Sequence, residues 1–251
     1  MTAAPSYAEL IEPTEMIPPP DGGRVFTHRA MPGLADCAPS GRARLDALAR
    51  MLQDVAYSDV EDAGLELVAV WVVRRYRIRV NRFPRFAERL SLHTFCSGIG
   101  RAWAERRTTI EDEHGEALVD TVSLWVHLDP VTWHPVQFTD REIEVYGATA
   151  GDRRISHRLR HPSPPPGASA SAWTFRAAEC DVADHINNAA YWVPFEDELL
   201  NSPVPELESI DAEMEFRTPA QPGEKRYLSA GNRRWLTAED GELHASLLIA
   251  G

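Results

Sequence analysis

The stretch Leu45-Asp46-Ala47-Leu48-Ala49-Arg50-Met51-Leu52-Gln53-Asp54-Val55-Ala56, followed beyond Gly64 by Arg75-Tyr76-Arg77-Ile78-Arg79-Val80, decides how this chain folds. In the first run Leu45, Leu48, Ala49, Leu52, Val55 and Ala56 recur at the 3, 4, 7 spacing of one buried helix face. Gly64 predicts its end, which gives a helix of about 18 residues, or ~27 Å at 1.5 Å per residue. In the second run Tyr76, Ile78 and Val80 alternate with three arginines, the period of two of a strand with one buried face. Residues 89–97 alternate as well, with Leu90, Leu92, Thr94 and Cys96 on one face. Residues 101–111 and 117–128 flank Asp112-Glu113-His114-Gly115, a hairpin-type connection ending in Gly. With residues 24–30 extended ahead of the helix, the order is strand, long helix, antiparallel strands. That is an α+β plan in which a curled sheet wraps one helix.

The plan recurs further along the chain. His161-Pro162-Ser163-Pro164-Pro165-Pro166-Gly167 is stiff and cannot pair into a sheet, so residues 146–171 read as a linker. Residues 172–178 are then extended, and a helix is predicted over 188–200. Ile210, Ala212, Met214 and Phe216 alternate as a strand, with further strands near 226–230, 233–237 and 243–249. Pro194 removes an amide donor inside the second helix and predicts a kink or a displaced start. The division is therefore a flexible Pro-rich leader over 1–20, one unit over 21–145, the linker, and a second unit over 172–251. Laying the two helix lead-ins side by side sets Ala35-Asp36-Cys37-Ala38-Pro39-Ser40 against Ala183-Asp184-His185-Ile186-Asn187-Asn188, with Cys37 opposite His185.

Composition narrows the function classes. The chain has 251 residues, 43% hydrophobic and 25% charged, an ordinary globular balance with material for a sizeable core. Its longest apolar run, residues 67–73, is too short to span a bilayer. Glu9, Glu12 and Glu15 lie where a secretion signal needs a basic start and an apolar run, so a cytoplasmic location is expected. A net charge of −12 argues against general nucleic-acid binding. Yet residues 74–107 carry ten Arg against only Glu88 and Glu105. That strip, headed by Arg74, Arg75, Arg77 and Arg79, fits either a confined anionic partner or a solvated strand face. Cys37, Cys96 and Cys180 are an odd number without metal-like spacing and read as small hydrophobes. No Gly-rich phosphate loop and no ligand cluster is evident, so neither cofactor nor metal is expected.

Asp181-Val182-Ala183-Asp184-His185-Ile186-Asn187-Asn188 concentrates two carboxylates, an imidazole and two carboxamides just before a helix. Asn187 or Asn188 is a good N-cap, and free amides at such a helix end can stabilise a developing oxyanion. His185 is the group able to take a proton from water near neutral pH, and a neighbouring carboxylate would orient it. The plain alternative is a well-capped helix with a surface His.

Asp181-x-x-x-His185-Ile186-Asn187-Asn188-x-x-Tyr191 resembles the D-x-N-x-H-V-N-N-x-x-Y signature of the acyl–acyl carrier protein thioesterases of plants and bacteria. Ser40-Gly41-Arg42 with Leu52-Gln53, Phe83-Pro84-Arg85, and Ser123-Leu124-Trp125-Val126-His127-Leu128-Asp129 resemble other stretches of that family, and the likeness covers roughly residues 20–250. The resemblance implies two tandem hotdog domains, each a long helix wrapped by a curled antiparallel sheet, with an acyl tunnel in the first and catalytic groups on the second. It implies His185 as general base and Asp181 as its orienting partner. Asn187, Asn188, Asp184 and Asp197 are the implied supporting groups. The implied substrate is a thioester of acyl carrier protein or coenzyme A, and the arginine strip becomes a docking face for the acidic carrier protein. Association into a homodimer is a further expectation, as in many hotdog proteins. Two departures stand out: Ala183 replaces the family's Asn, and Pro219 with Ala220 replaces the Glu or Cys that plant members carry. Those departures keep open a non-catalytic acyl-thioester binder. A hotdog dehydratase or hydratase is a third reading, for which a second acid–base cluster is lacking.

Overall fold

The structure is a computed structural model that describes residues 13–66 and 70–250. In the first half, β1 (Phe26–Ala30) and a 3₁₀ turn (Leu34–Asp36) precede α1 (Leu45–Asp62). β2 (Val70–Val80), β3 (Leu90–Ile99), β4 (Trp103–Glu111), β5 (Ala117–Leu128) and α2 (Asp140–Ala150) follow. The second half repeats the order with β6 (Ser169–Phe175), 3₁₀ turns at Ala177–Glu179 and Asn188–Trp192, and α3 (Val193–Leu200). It closes with β7 (Ile210–Phe216), β8 (Gly223–Ala230), β9 (Arg233–Thr237) and β10 (Leu243–Ala250). These are the two tandem hotdogs expected from the sequence. No described helix is long and apolar enough to cross a membrane, and part of the apolar run at 67–73 lies outside the described residues.

α1 is the 18-residue helix that the periodicity predicts. Leu45, Leu48, Ala49, Leu52 and Val55 are buried along one side, each leucine contributing about 1.5–3 kcal/mol of transfer free energy. Its counterpart is shorter. Pro194 occupies the first turn of α3, where its missing N–H is harmless, and a 3₁₀ turn fills the place of the lost helical start.

All ten strands join one sheet in the order β1-β3-β4-β5-β2-β7-β10-β9-β8-β6, so the halves meet where β2 pairs antiparallel with β7. Inward-facing pairs across this seam are Tyr76 with Met214, Ile78 with Ala212 and Val80 with Ile210. Outward-facing pairs are Arg75 with Glu215, Arg77 with Glu213 and Arg79 with Asp211. The arginines of β2 thus meet the acids of β7, and the strip is not an open docking face. Arg75 and Arg77 are buried. Arg77 binds Asp211 at 2.6 and 2.8 Å, and Arg79 shares that carboxylate at 3.0 Å. Arg74 sits at a register shift in β2 and donates to the Arg217 carbonyl at 2.8 Å.

The segment after α2 explains why this charged face is buried. It crosses the outer surface of the sheet as a strap, its polar backbone groups met by side chains. The Arg158 carbonyl accepts from Arg75, the amides of Arg160 and His161 donate to Glu215 at 2.7 and 2.9 Å, and the Pro162 carbonyl accepts from the Trp235 indole. The expected boundary at 145/146 falls inside α2, because Thr139 and Glu142 form a capping box that starts a helix there. Nor is the leader loose throughout. Thr14 is buried with its amide on Glu213 at 2.8 Å, and the Ile17 carbonyl accepts from Arg107 at 2.9 Å. Residues 1–12 lie outside the described residues.

Beneath the strap, His161, Glu213 and Glu215 bring ligand-type atoms within 4.8 Å of one another, a cluster that sequence reading did not anticipate. Its oxygens are already engaged by the strap amides, Thr14 and Arg160, and Arg217 stands 3.7 Å from Glu215. A dication would face those guanidiniums, so the cluster reads as an ion-pair network. Burial alone would push the Glu213 carboxyl up. Hydrogen bonds from His161 and Thr14, with Arg75 nearby, outweigh it and hold the group down at about 2.

Candidate active site

Residues 180–191 form a compact turn whose shape follows from its polar side chains. Cys180 and Ile186 make an isolated antiparallel bridge. Inside it the Asp181 amide donates to the His185 carbonyl at 2.9 Å, and the Asp184 amide donates to the Asp181 carbonyl at 3.1 Å. This closure needs a positive φ at Asp184, 60°, which Asp tolerates better than most residues. The Asp181 carboxylate accepts from the Ala183 amide at 2.9 Å and from the Asn187 carboxamide at 3.2 Å. Asn187 in turn caps the 3₁₀ turn by accepting from the Ala189 amide at 2.8 Å.

The run at 219–221 anchors this turn from the side. The Ile186 amide donates to the Ala220 carbonyl at 3.0 Å, and the Ala220 amide donates to the Tyr191 hydroxyl at 2.8 Å. Burial pushes that phenol up to about 12, so it stays protonated. Gln221 adds a bond to the Asp184 carbonyl at 2.9 Å. Where the resemblance leads one to look for an acid, this chain uses backbone.

The expected contact between Asp181 and His185 is not formed, since Asp181 is committed to Ala183 and Asn187. His185 is half-buried and, among the described residues, makes no side-chain hydrogen bond or ion pair. Asp184 is exposed and makes no side-chain hydrogen bond or ion pair among the described residues. Asp197 is exposed on α3 and does not join the site. Its neighbours are not a solvated face, however. Glu196 is buried against Arg42 at 2.7 Å, and Glu198 binds Arg234 at 2.6 Å and Tyr227 at 2.7 Å.

Beside the turn opens a cavity of about 450 Å³. Asp181, Val182, Ala183, Asn187 and Asn188 line it from the second half. The rest belongs to the first half, among them Gln53 and Ala56 of α1, Trp71 of β2, Cys96 of β3, Arg106 of β4, Trp125 of β5 and Tyr146 of α2, with Glu66 and Glu105 as acidic members. The size is that of a small-molecule site, and the apolar walls suit a hydrocarbon chain. Arg106 is held by Asp59 at 2.6 Å and lies over the Tyr146 ring. Burial pushes the Cys96 thiol up to about 11, so it is no nucleophile at neutral pH. The contribution of α2 was missed in the sequence, although Thr139-x-x-Glu142 is a capping-box signal.

Matching backbone contacts correct the alignment of the two lead-ins. Cys37 bridges Ala43 as Cys180 bridges Ile186. The Ala38 amide reaches the Arg42 carbonyl at 2.8 Å as Asp181 reaches His185. Gly41 has φ 86° where Asp184 has 60°. The residue opposite His185 is therefore Arg42, and Cys37 stands opposite Cys180.

Residues 26–146 match the model of the acyl-ACP thioesterase N-terminal domain. Over that stretch, just under half of its length, the chain is similar to the acyl-ACP thioesterase family. An uncharacterized protein of Mycobacterium tuberculosis is 26% identical over 207 residues, covering 82% of each chain. The oleoyl-acyl carrier protein thioesterase 2 of Arabidopsis thaliana, chloroplastic, is 23% identical over 176 residues. That match takes in 60% of this chain and 48% of the plant protein, so the chain spans about half the length of this relative. Among solved structures, an acyl-ACP thioesterase of Bacteroides thetaiotaomicron superposes with a TM-score of 0.75 at 18% identity. The superposition covers 90% of this chain and 96% of that one, and it shows that this chain has the same tandem fold.

Proposed function

We propose that this protein hydrolyses fatty-acyl thioesters of acyl carrier protein or coenzyme A and releases the free fatty acid. The observation that carries this reading is the cavity shared between the halves. Its apolar walls come from the first half, and Asp181, Asn187 and Asn188 line it from the second, so an acyl chain and its thioester carbonyl have adjoining places. In this reading His185 takes a proton from water as the water oxygen attacks the carbonyl carbon. The carbonyl electron pair moves to oxygen, and Asn188, which lines the cavity, donates to that oxyanion. Collapse breaks the carbon–sulfur bond, and the leaving sulfur takes the proton from His185. Asp181 serves by holding Ala183 and Asn187 in place. The reading makes no use of Arg75 and Arg77 as docking groups, because both are buried.

A second reading, an acyl-thioester binder without turnover, draws on Ala183 and on the lack of a carboxylate bonded to His185. Thiol release from acyl thioesters of graded chain length separates the two, measured beside His185→Ala. Release by the wild type that disappears in the variant supports hydrolysis. Saturable binding by both proteins with release by neither would leave the binder.

A further inference from the structure

We infer that Gln53, on the helix of the first half, is a catalytic residue of this site and holds the attacking water from across the cavity; the inference rests on the thioesterase reading above. The internal repeat points to it. With Arg42 in the place of His185 and Leu45 in the place of Asn188, Gln53 on α1 occupies the place of Glu196 on α3. The residues just before them, Leu52 and Phe195, are both buried in the same core, so the two helices keep this register. In the first lead-in Glu196 reaches across from the opposite half. It meets the Arg42 guanidinium at 2.7 Å and accepts from the Leu45 amide at 3.0 Å. The same geometry transposed to the second lead-in brings Gln53 from the opposite half toward His185 and the Asn188 amide.

An independent observation agrees. Gln53 lines the cavity together with Asp181, Asn187 and Asn188. It is half-buried and, among the described residues, makes no side-chain hydrogen bond. Its carboxamide oxygen is a strong neutral acceptor. Ala183 offers water nothing at its edge of the cavity, and Gln53 supplies the missing acceptor. One O–H of the water donates to Gln53 Oε1, and the other donates to His185, which takes that proton during attack. The proton later leaves with the sulfur, and Gln53 exchanges none.

The test uses the full chain with a saturated long-chain acyl-coenzyme A, reading kcat and KM separately and the melting temperature of each variant. Gln53→Ala is expected to lower kcat about 10²-fold and to leave KM within about threefold. Gln53→Glu is expected to recover part of that loss and to gain a steeper acid limb in its pH–rate profile, since a carboxylic acid accepts well only when ionised. Should Gln53→Ala melt early, Gln53→Met, of similar length, carries the same expectation. Wild-type kcat in folded Gln53→Ala, or a loss confined to KM, would overturn the role of Gln53 alone. A wild type that releases no thiol would overturn both this role and the thioesterase reading.

Discussion

Residues 38–45 and residues 181–188 fold onto one backbone and are filled in opposite ways. In both, an amide closes the turn onto a carbonyl four residues on, at 2.8 Å in the first and 2.9 Å in the second. In both, a positive φ sits at the tip. The first turn then inserts Arg42, almost wholly buried, between Glu196 at 2.7 Å and Glu206 at 2.6 Å, with its guanidinium over the Phe83 ring. The second turn leaves His185 without such a partner among the described residues, while Asp181, Asn187 and Asn188 of the same turn line an open cavity. A buried charge must be paired to be tolerated, so the first turn is sealed. An imidazole can stay neutral, so the second can remain open. The repeat thus uses one backbone turn twice, once to seal a buried ion pair and once to wall a cavity.

The comparison can be broken most severely by exchanging the deciding residue. His185→Arg places in the second turn the residue of the first, and a guanidinium cannot accept a proton near neutral pH. Thiol release should fall by about 10²–10⁴-fold, and retention of activity would sever His185 from the chemistry. Next comes the sealed turn. Arg42→Met strands Glu196 and Glu206, and urea unfolding should show a loss of about 3–5 kcal/mol. Replacing Arg42 and Glu196 together by Met should lose less than Arg42→Met alone.

A smaller effect is expected at Asp181, whose counterpart in the sealed turn is Ala38. Asp181→Ala removes the acceptor for the Ala183 amide and the Asn187 carboxamide, and should cost about 1–2 kcal/mol in the same unfolding measurement. The smallest belongs to Asp184. Asp184→Gly copies Gly41 at a positive φ, so stability should stay within about 1 kcal/mol of wild type. Thiol release should not change. A large loss of rate there would give the Asp184 carboxylate a role that its exposure argues against.

Much of the fold was legible along the chain, since helix and strand periods are local. α1, β5, β7 and β9 fall where the alternation and the 3.6-residue spacing put them. The seam was legible too, though only to a reader comparing distant segments. Arg75, Arg77 and Arg79 alternate in one strand, and Asp211, Glu213 and Glu215 alternate in another with the same period. Read alone, the first run looks like a docking strip. Read as a pair, it is a buried ladder. Of the residues that line the cavity, Asn187 and Asn188 were legible from residue type, and Asp181 from spacing. Asp197 was misplaced because three consecutive acids on a short helix point in different directions.

By itself the sequence determined the elements, their repetition in two halves and the turn that carries His185. Turn chemistry, helix stops and hydrophobic period act over a few residues, and each is written in the residues concerned. Only the tertiary structure decided what faces that turn: the apolar wall from the first half, the strap that closes the outer face, and Gln53 opposite Asn188. Facing is a matter of long-range register. It depends on how β2 meets β7 and on how two helices of unequal length lie between them, which no local pattern encodes.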